Sequence, residues 1–274
     1  MTTPSEPAEF DLLVRAKVRE RYGQVATEGE SCCGTGSCCG GSGASACGDT
    51  LGYSEQELRT LPEGAFLGLG CGNPTALHGL APGESVLDLG SGAGVDCFLA
   101  ARKVGETGHV LGVDMTPEMV ARARENARNG GFRNVEFRLG EIEHLPVPDR
   151  SVDVVVSNCV INLVPDKEAV YREAFRVLRP GGRLLVSDLV ATRPIAPEVR
   201  DDMARWAGCS SGALSVEETS EGLLRAGFRD ISIDRRIQDS TPATLVPADD
   251  LGVVPVGISA VRPAEAPATP AFAP

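Results

Sequence analysis

Apolar positions change their period along the chain, and the changes divide it. Over residues 8–27, Phe10, Leu13, Val14, Val18 and Tyr22 recur at intervals of three and four, the spacing of one helix face. From 28 to 50 the chain is Gly, Ser, Cys and Ala with almost no large apolar residue, which reads as a loop that cannot bury itself. SEQELR (54–59) opens on a cap-like Ser54 and predicts one short helix. From residue 84, short apolar runs alternate with helical ones. ESVLDLG (84–90), HVLGVDM (109–115), VEFRLG (135–140), SVDVVVSN (151–158) and RLLVSDLV (183–190) are the expected strands. Between them, helices are expected over 94–104, from 117 to about 129 with Thr116 as cap and Pro117 in the first turn, and over 167–178. The last of these is expected to end at Arg179-Pro180-Gly181-Gly182. A helix over 217–226 and strands over 228–235 and 253–262 complete the pattern.

Such alternation predicts an α/β fold: a doubly wound, mostly parallel seven-stranded sheet with helices on both faces. SVDVVVSN is nearly all apolar, as a strand covered on both faces should be. The expected organisation is an N-terminal helix and Cys-rich loop over 1–80, a cofactor-binding core over 81–190, and a C-terminal part with the last strands over 191–262. A Pro/Ala-rich, disordered tail is expected over 263–274.

With 274 residues the chain can bury a good core without staples. Its formal net charge of −12 argues against nucleic acid and against an anionic membrane, both of which call for a cationic face. The N-terminus has no apolar signal core, and no long apolar run follows, so the expected location is cytoplasmic. Thiols stay reduced there. Nine cysteines therefore suggest metal binding or redox chemistry more than a disulfide frame. Four of the nine sit in SCCGTGSCCG (31–40), as two adjacent doublets without C-x-x-C spacing.

VLDLGSGAG (86–94) is the strongest motif. A strand is followed by Gly90, Gly92 and Gly94 and then a helix, so backbone can approach a ligand at the strand's carboxyl end. Position 95 is Val95, so the dinucleotide fingerprint fails. Asp114, twenty positions after Gly94 at the end of the next strand, can take two ribose hydroxyls. With Asp88 two residues before the first glycine, these features make a nucleoside site.

On VLDLGSGAG, Asp114, Gly140-Glu141-Ile142-Glu143, DVVVSN and LRPGG, residues 81–235 resemble a class I S-adenosylmethionine-dependent methyltransferase. The resemblance implies that Asp88, Gly90, Ser91, Gly92 and Gly94 lie at the amino-acid end of S-adenosyl-L-methionine. It places Asp114 on the ribose, Met115, Glu141 and Ile142 by the adenine, and Asn158 among the cofactor contacts. Cys159 follows the fourth strand at its carboxyl end, where the methyl group should point. If loops bring Cys71 (GLGCGNP) and Cys209 (WAGCSSGAL) to the same mouth, three thiolates converge there. Thiolates select soft ions. Zinc is a poor match to single cysteines so far apart. Trivalent arsenic on three sulfurs keeps a lone pair that can attack a methyl carbon.

The stretches LGYSEQELRTLPEGAFLGLGCGNP, VLDLGSGAGVDC, SNCVINLVPDK and AGCSSGALS extend the resemblance, from Tyr22 to Ile233, to the arsenite methyltransferases. That family implies Cys71, Cys159 and Cys209 as arsenic ligands. It also implies a further cysteine, Cys32 or Cys33, that forms a disulfide with Cys71 during turnover. Thioredoxin or glutathione would reset it, and the substrate would be arsenite or methylarsenite. A monomer is compatible with this. Cys38 and Cys39 are extra to the account, Cys47 has no assigned role, and Cys97 reads as core. Glu141 and Glu143 also fit a solvated face, as do Asp201 and Asp202. His109 reads as a strand start, and His78 and His144 as loop residues. Two other functions stay open: methylation of a small organic acceptor, which leaves the cysteines unexplained, and a thiol-rich metalloid carrier, which leaves the glycine loop unexplained.

Overall fold

A computed structural model of the protein describes residues 7–28, 51–74, 79–234 and 252–264. The doublets Cys32-Cys33 and Cys38-Cys39, Cys47, His78 and most of the expected tail lie outside the described residues. In chain order the elements are α1 (Pro7–Glu28), α2 (Glu55–Arg59), β1 (Ser85–Leu89), α3 (Val95–Val104), β2 (His109–Asp114), α4 (Pro117–Asn129), β3 (Val135–Leu139) and β4 (Val152–Asn158). A 3-10 turn (Ile161–Leu163) precedes α5 (Lys167–Val177) and β5 (Leu178–Ala191). Then come α6 (Pro197–Arg200), α7 (Met203–Trp206), α8 (Val216–Ala226), β6 (Arg229–Asp234) and β7 (Val253–Val261).

The strands form one seven-stranded sheet in the order β3-β2-β1-β4-β5-β7-β6. β3, β2, β1, β4 and β5 are parallel, and β7 runs antiparallel to β5 and β6. The chain changes direction across the sheet between β1 and β4, which opens a crevice beyond their carboxyl ends. One face is sealed by Leu87, Val155, Leu184, Tyr171 and Leu223, the other by Val86, Val154, Phe98, Ala101 and Val120. Both faces of β4 are apolar because both are covered, the condition its composition predicts. Among the described residues, no helix is long and apolar enough to cross a membrane.

Several local expectations change. β5 begins at Leu178, not 183, so the Arg179-Pro180-Gly181-Gly182 segment belongs to a 14-residue strand instead of ending a helix. The cause is remote in sequence: Gly181 N–H donates to Arg262 O, and Arg262 N–H returns to Gly182 O. Gly182 fits because a Cβ there would lie 2.9 Å from the carbonyl oxygens of Arg179 and Asp153. Ser54 does cap α2, in a full capping box with Glu57. Thr116 starts α4 without a side-chain cap, and its N–H donates to Asp114 Oδ1 at 2.8 Å. Asp202 is no bland surface acid: it caps α7 by accepting from the N–H groups of Ala204 and Arg205. On α1 the stripe buries Val14 and Val18, whereas Leu13 is 54 % exposed.

One contact joins the two halves of the sheet at the crevice. Gly90 has φ +68°, and a Cβ on it would stand 2.4 Å from Val160 Cγ2. Gly90→Ala therefore meets both backbone strain and overlap. It should lower stability by about 2 kcal/mol or more in urea unfolding. Val160→Ala in the same chain should recover part of that loss, since it removes the overlap and leaves the strain.

Candidate functional site

Beyond the carboxyl ends of β1, β2 and β4 lies a cavity of about 370 Å³. Its walls come from α1 (Arg15, Val18, Arg21, Tyr22), the Leu67–Cys71 loop, the Gly90–Ala93 loop, the end of β2, and the loops holding Cys159 and Cys209. The parallel register supplies this arrangement, because every loop after a parallel strand emerges on the same edge.

Of the expected cofactor residues, Gly90, Ser91, Gly92, Asp114, Met115, Ile142 and Asn158 line the cavity. Asp88, Gly94 and Glu141 are not among its lining residues. Asp88 sits behind the loop and accepts from the Cys97 thiol at 3.2 Å; burial and the neighbouring Asp96 push its carboxyl well up. Cys97 is fully buried, as a core cysteine should be. Gly94 begins α3 with φ +101°. Glu141 reaches Arg15 and Arg19 instead. Its neighbour Glu143 takes a lining position, buried, with Arg15 Nη2 at 3.0 Å from Oε1, so a solvated face is the wrong description for it. Arg15 lies 128 residues away, too far for local spacing to reveal the pair.

The donor set suits a nucleoside with an amino-acid arm. Asp114 Oδ2 accepts from Gly92 N–H (2.9 Å) and Oδ1 from Thr116 N–H, which fixes the carboxylate while leaving lone pairs toward the cavity. Burial raises its pKa and those two backbone bonds oppose the rise. Ser91 is buried on the cavity wall, and its Oγ has no partner among the described residues. That orphaned hydroxyl is a natural contact for a bound polar group.

Cys71, Cys159 and Cys209 line the same cavity. Cys71 and Cys159, separated by 88 positions, meet as a disulfide with Cα atoms 5.6 Å apart. Cys209 Sγ donates to the Cys159 carbonyl at 3.0 Å, and the Tyr22 hydroxyl lies 4.0 Å from the same sulfur. Cys159 and Cys209 have φ of +57° and +66°, two of four non-glycine residues with positive φ among those described. Such backbone costs on the order of 1 kcal/mol each and gathers at sites where position matters more than stability. Val14, Val18, Leu163, Leu189 and Trp206 pack in one apolar cluster with the three cysteines.

Asp188, absent from the sequence-based set, has a carboxylate oxygen within 4.8 Å of both Cys71 and Cys159 sulfurs. Its Oδ1 accepts from Asn162 Nδ2 and Leu189 N–H, both at 2.8 Å, and Oδ2 has no partner among the described residues. Asp96 and Tyr53, also missed, are buried at the cavity wall and joined by a 2.9 Å bond. Trp206 donates from Nε1 to Leu163 O. Lys167 Nζ lies 5.3 Å from the Trp206 ring centroid and donates to Val164 O.

A family profile described as a methyltransferase domain matches residues 80–227. The chain is similar to an arsenite methyltransferase of Halobacterium salinarum, 47 % identical over 96 % of this chain and 69 % of that protein. It is also similar to the arsenite methyltransferase of Homo sapiens, at 43 % identity over 52 % of this chain and 40 % of that one. Among solved structures, an arsenic(III) S-adenosylmethionine methyltransferase from Chlamydomonas reinhardtii is similar with a TM-score of 0.56 and 35 % identity, over 71 % of this chain and 67 % of that chain.

The buried acids give stability a distinct pH dependence. Burial raises Asp96 and Asp188 from 3.8 to about 6, so between those values the folded protein keeps protons that the unfolded chain has released. Their contribution to stability is therefore complete below the unfolded value and is lost as pH rises through about 6. Urea unfolding should show a fall on the order of 2 kcal/mol per group from about pH 4.5 to 7. Lys167, pushed down to about 8 from 10.5 by burial, acts in the other direction: stability rises between those values. Asp188→Asn should remove one group's share of that fall and leave the shares of Asp88, Asp96 and Asp114.

Proposed function

This chain belongs to the arsenite methyltransferases, and on that footing we propose that it moves the methyl group of S-adenosylmethionine to trivalent arsenic held by cysteine thiolates, as in arsenic detoxification. The observation that carries the proposal is one cavity lined both by Gly90, Ser91, Gly92 and Asp114 and by Cys71, Cys159 and Cys209.

S-adenosylmethionine, when bound, supplies an electrophilic methyl carbon on a sulfonium. Asp114 would accept hydrogen bonds from the ribose hydroxyls, and the Ser91 hydroxyl and the Gly92 backbone would hold the rest of the cofactor. Once a dithiol or glutathione has reduced the Cys71–Cys159 disulfide to two thiols, Cys71, Cys159 and Cys209 replace the hydroxyls of arsenous acid, each thiol proton leaving with a hydroxide as water. Arsenic on three sulfurs keeps its lone pair, and the fixed sulfurs aim it. The lone pair forms the arsenic–carbon bond as the sulfonium–methyl bond breaks. No general base is required once the sulfurs are bound. Methylation leaves arsenic pentavalent. Two electrons from a pair of site thiols, which close to a disulfide, return it to methylarsenite. The pair implied by the family is Cys71 with Cys32 or Cys33. Thioredoxin or glutathione then restores the thiols.

Product analysis tests this. Reduced protein with S-adenosylmethionine, arsenite and excess thiol should yield methylated arsenic, separated by chromatography and read by elemental detection. Cys71→Ser and Cys159→Ser should each abolish it while binding S-adenosylhomocysteine normally. Asp114→Ala should weaken S-adenosylhomocysteine by about tenfold or more through loss of charged hydrogen bonds. Binding of both ligands with no methylated arsenic would move methylation of a small organic acceptor to first place.

A further inference from the structure

Asn158 stands immediately before Cys159 at the end of β4, where the resemblance assigns it to the cofactor. Its side chain is occupied differently. Oδ1 accepts from the backbone N–H of Cys71 at 3.0 Å. Nδ2 lies 2.7 Å from Gly72 O, 2.9 Å from the Tyr53 hydroxyl and 3.1 Å from Asp96 Oδ2. An amide nitrogen has two hydrogens, so three acceptors already exceed what it can serve. Every hydrogen-bonding atom of this side chain is thus engaged by protein.

The Cys71 loop is shaped for that contact. Gly70 has φ +127°, and a Cβ there would lie 2.9 Å from Asn158 Nδ2, so only glycine lets the loop come so close. Asn158 is bonded covalently to Cys159 and through one hydrogen bond to the backbone N–H of Cys71, with a second to the carbonyl of the next residue, Gly72. Behind it, Tyr53 donates to Asp96 Oδ1 at 2.9 Å, and Asp96 stands in the first turn of α3, the helix that follows the glycine loop.

We propose that Asn158 is a positioning residue for the thiol pair: it locks the Cys71 loop onto the end of β4, sets the Cys71–Cys159 sulfur separation, and ties both through Tyr53 and Asp96 to the start of α3. The proposal rests on the thiol site described under the proposed function, but the sulfur separation can be measured without arsenic.

The readout is the equilibrium between the full-length protein and a glutathione/glutathione-disulfide buffer. The Cys71–Cys159 fraction is counted by differential alkylation and mass spectrometry. Forming that bond oxidises two protein thiols and reduces one glutathione disulfide, and its equilibrium constant reports how close the sulfurs are held. Asn158→Ala should lower that constant by about tenfold, the loss of one to two hydrogen bonds. Tyr53→Phe cuts one partner of Asn158 and leaves its bond to Cys71, so it should lower the constant about threefold. It carries the test if Asn158→Ala fails to fold. An unchanged thiol constant in folded Asn158→Ala, or in Tyr53→Phe where that variant carries the test, would overturn the proposal. So would a large loss of S-adenosylhomocysteine affinity with the thiol constant intact, which would return Asn158 to the cofactor. Absence of arsenic methylation would count against the proposed function and leave this measurement standing.

Discussion

The approach of Gly90 to Val160 is the constraint on which the site depends. β1 and β4 are adjacent parallel strands, so their loops leave the same edge side by side. The missing side chain at Gly90 lets the loop after β1 close onto the loop after β4. One loop continues into Ser91 and then Gly92, whose N–H donates to Asp114. The other begins with Cys159. A larger residue at Gly90 would push the loop of Ser91 and Gly92 away from the loop of Cys159, and the proposed transfer requires reacting atoms about 3 Å apart at the start.

The thiol wall gains its precision at a local cost. Cys159 and Cys209 hold left-handed backbone. Asp88, Asp96 and Asp188 are buried with raised pKa, so ionising any of them opposes folding. The compensation is apolar: the sheet is packed on both faces, and a third cluster from α1, the 3-10 turn and α7 closes over the thiols. Helix α1 belongs to this closure, with Val14 and Val18 in the cluster and Arg15 clamped on Glu143. It acts as a roof over the cavity.

What was legible in the sequence was what repeats locally. An apolar run such as Val154-Val155-Val156 declares a covered strand, and Ser54 with Glu57 declares a capping box, because each signal spans a few residues. The glycine loop with Asp114 was legible for a related reason: strand, turn and next strand end keep a fixed spacing. Contacts made by folding were not. Leu178–Gly182 becomes strand only because Arg262 pairs beside it. Glu143 becomes buried only because Arg15 covers it. Asp188 looks like an interior position of the strand run RLLVSDLV, and nothing nearby announces the two sulfurs. Asn158 was noticed as part of a motif, but its bond to Cys71 spans 87 positions.

The charge around the cavity bears on how such a site could cycle. Asp96, Asp114 and Glu143 line it, and Asp188 lies near the sulfurs, whereas its cationic lining residues Arg15 and Arg21 sit on α1 at the roof. A negative interior attracts a sulfonium cation and holds its neutral thioether product less well, by the loss of one unit of charge. Burial first and nearby carboxylates second oppose free thiolates, as at Cys97, whose thiol is pushed well up by burial and by Asp88. Exchange of neutral thiols for the hydroxyls of neutral arsenous acid, with water leaving, avoids that penalty because no free thiolate need accumulate. An acidic cavity thus favours the charged methyl donor over its spent form and a neutral acceptor over an anionic one, and both preferences run in the direction that the proposed reaction requires.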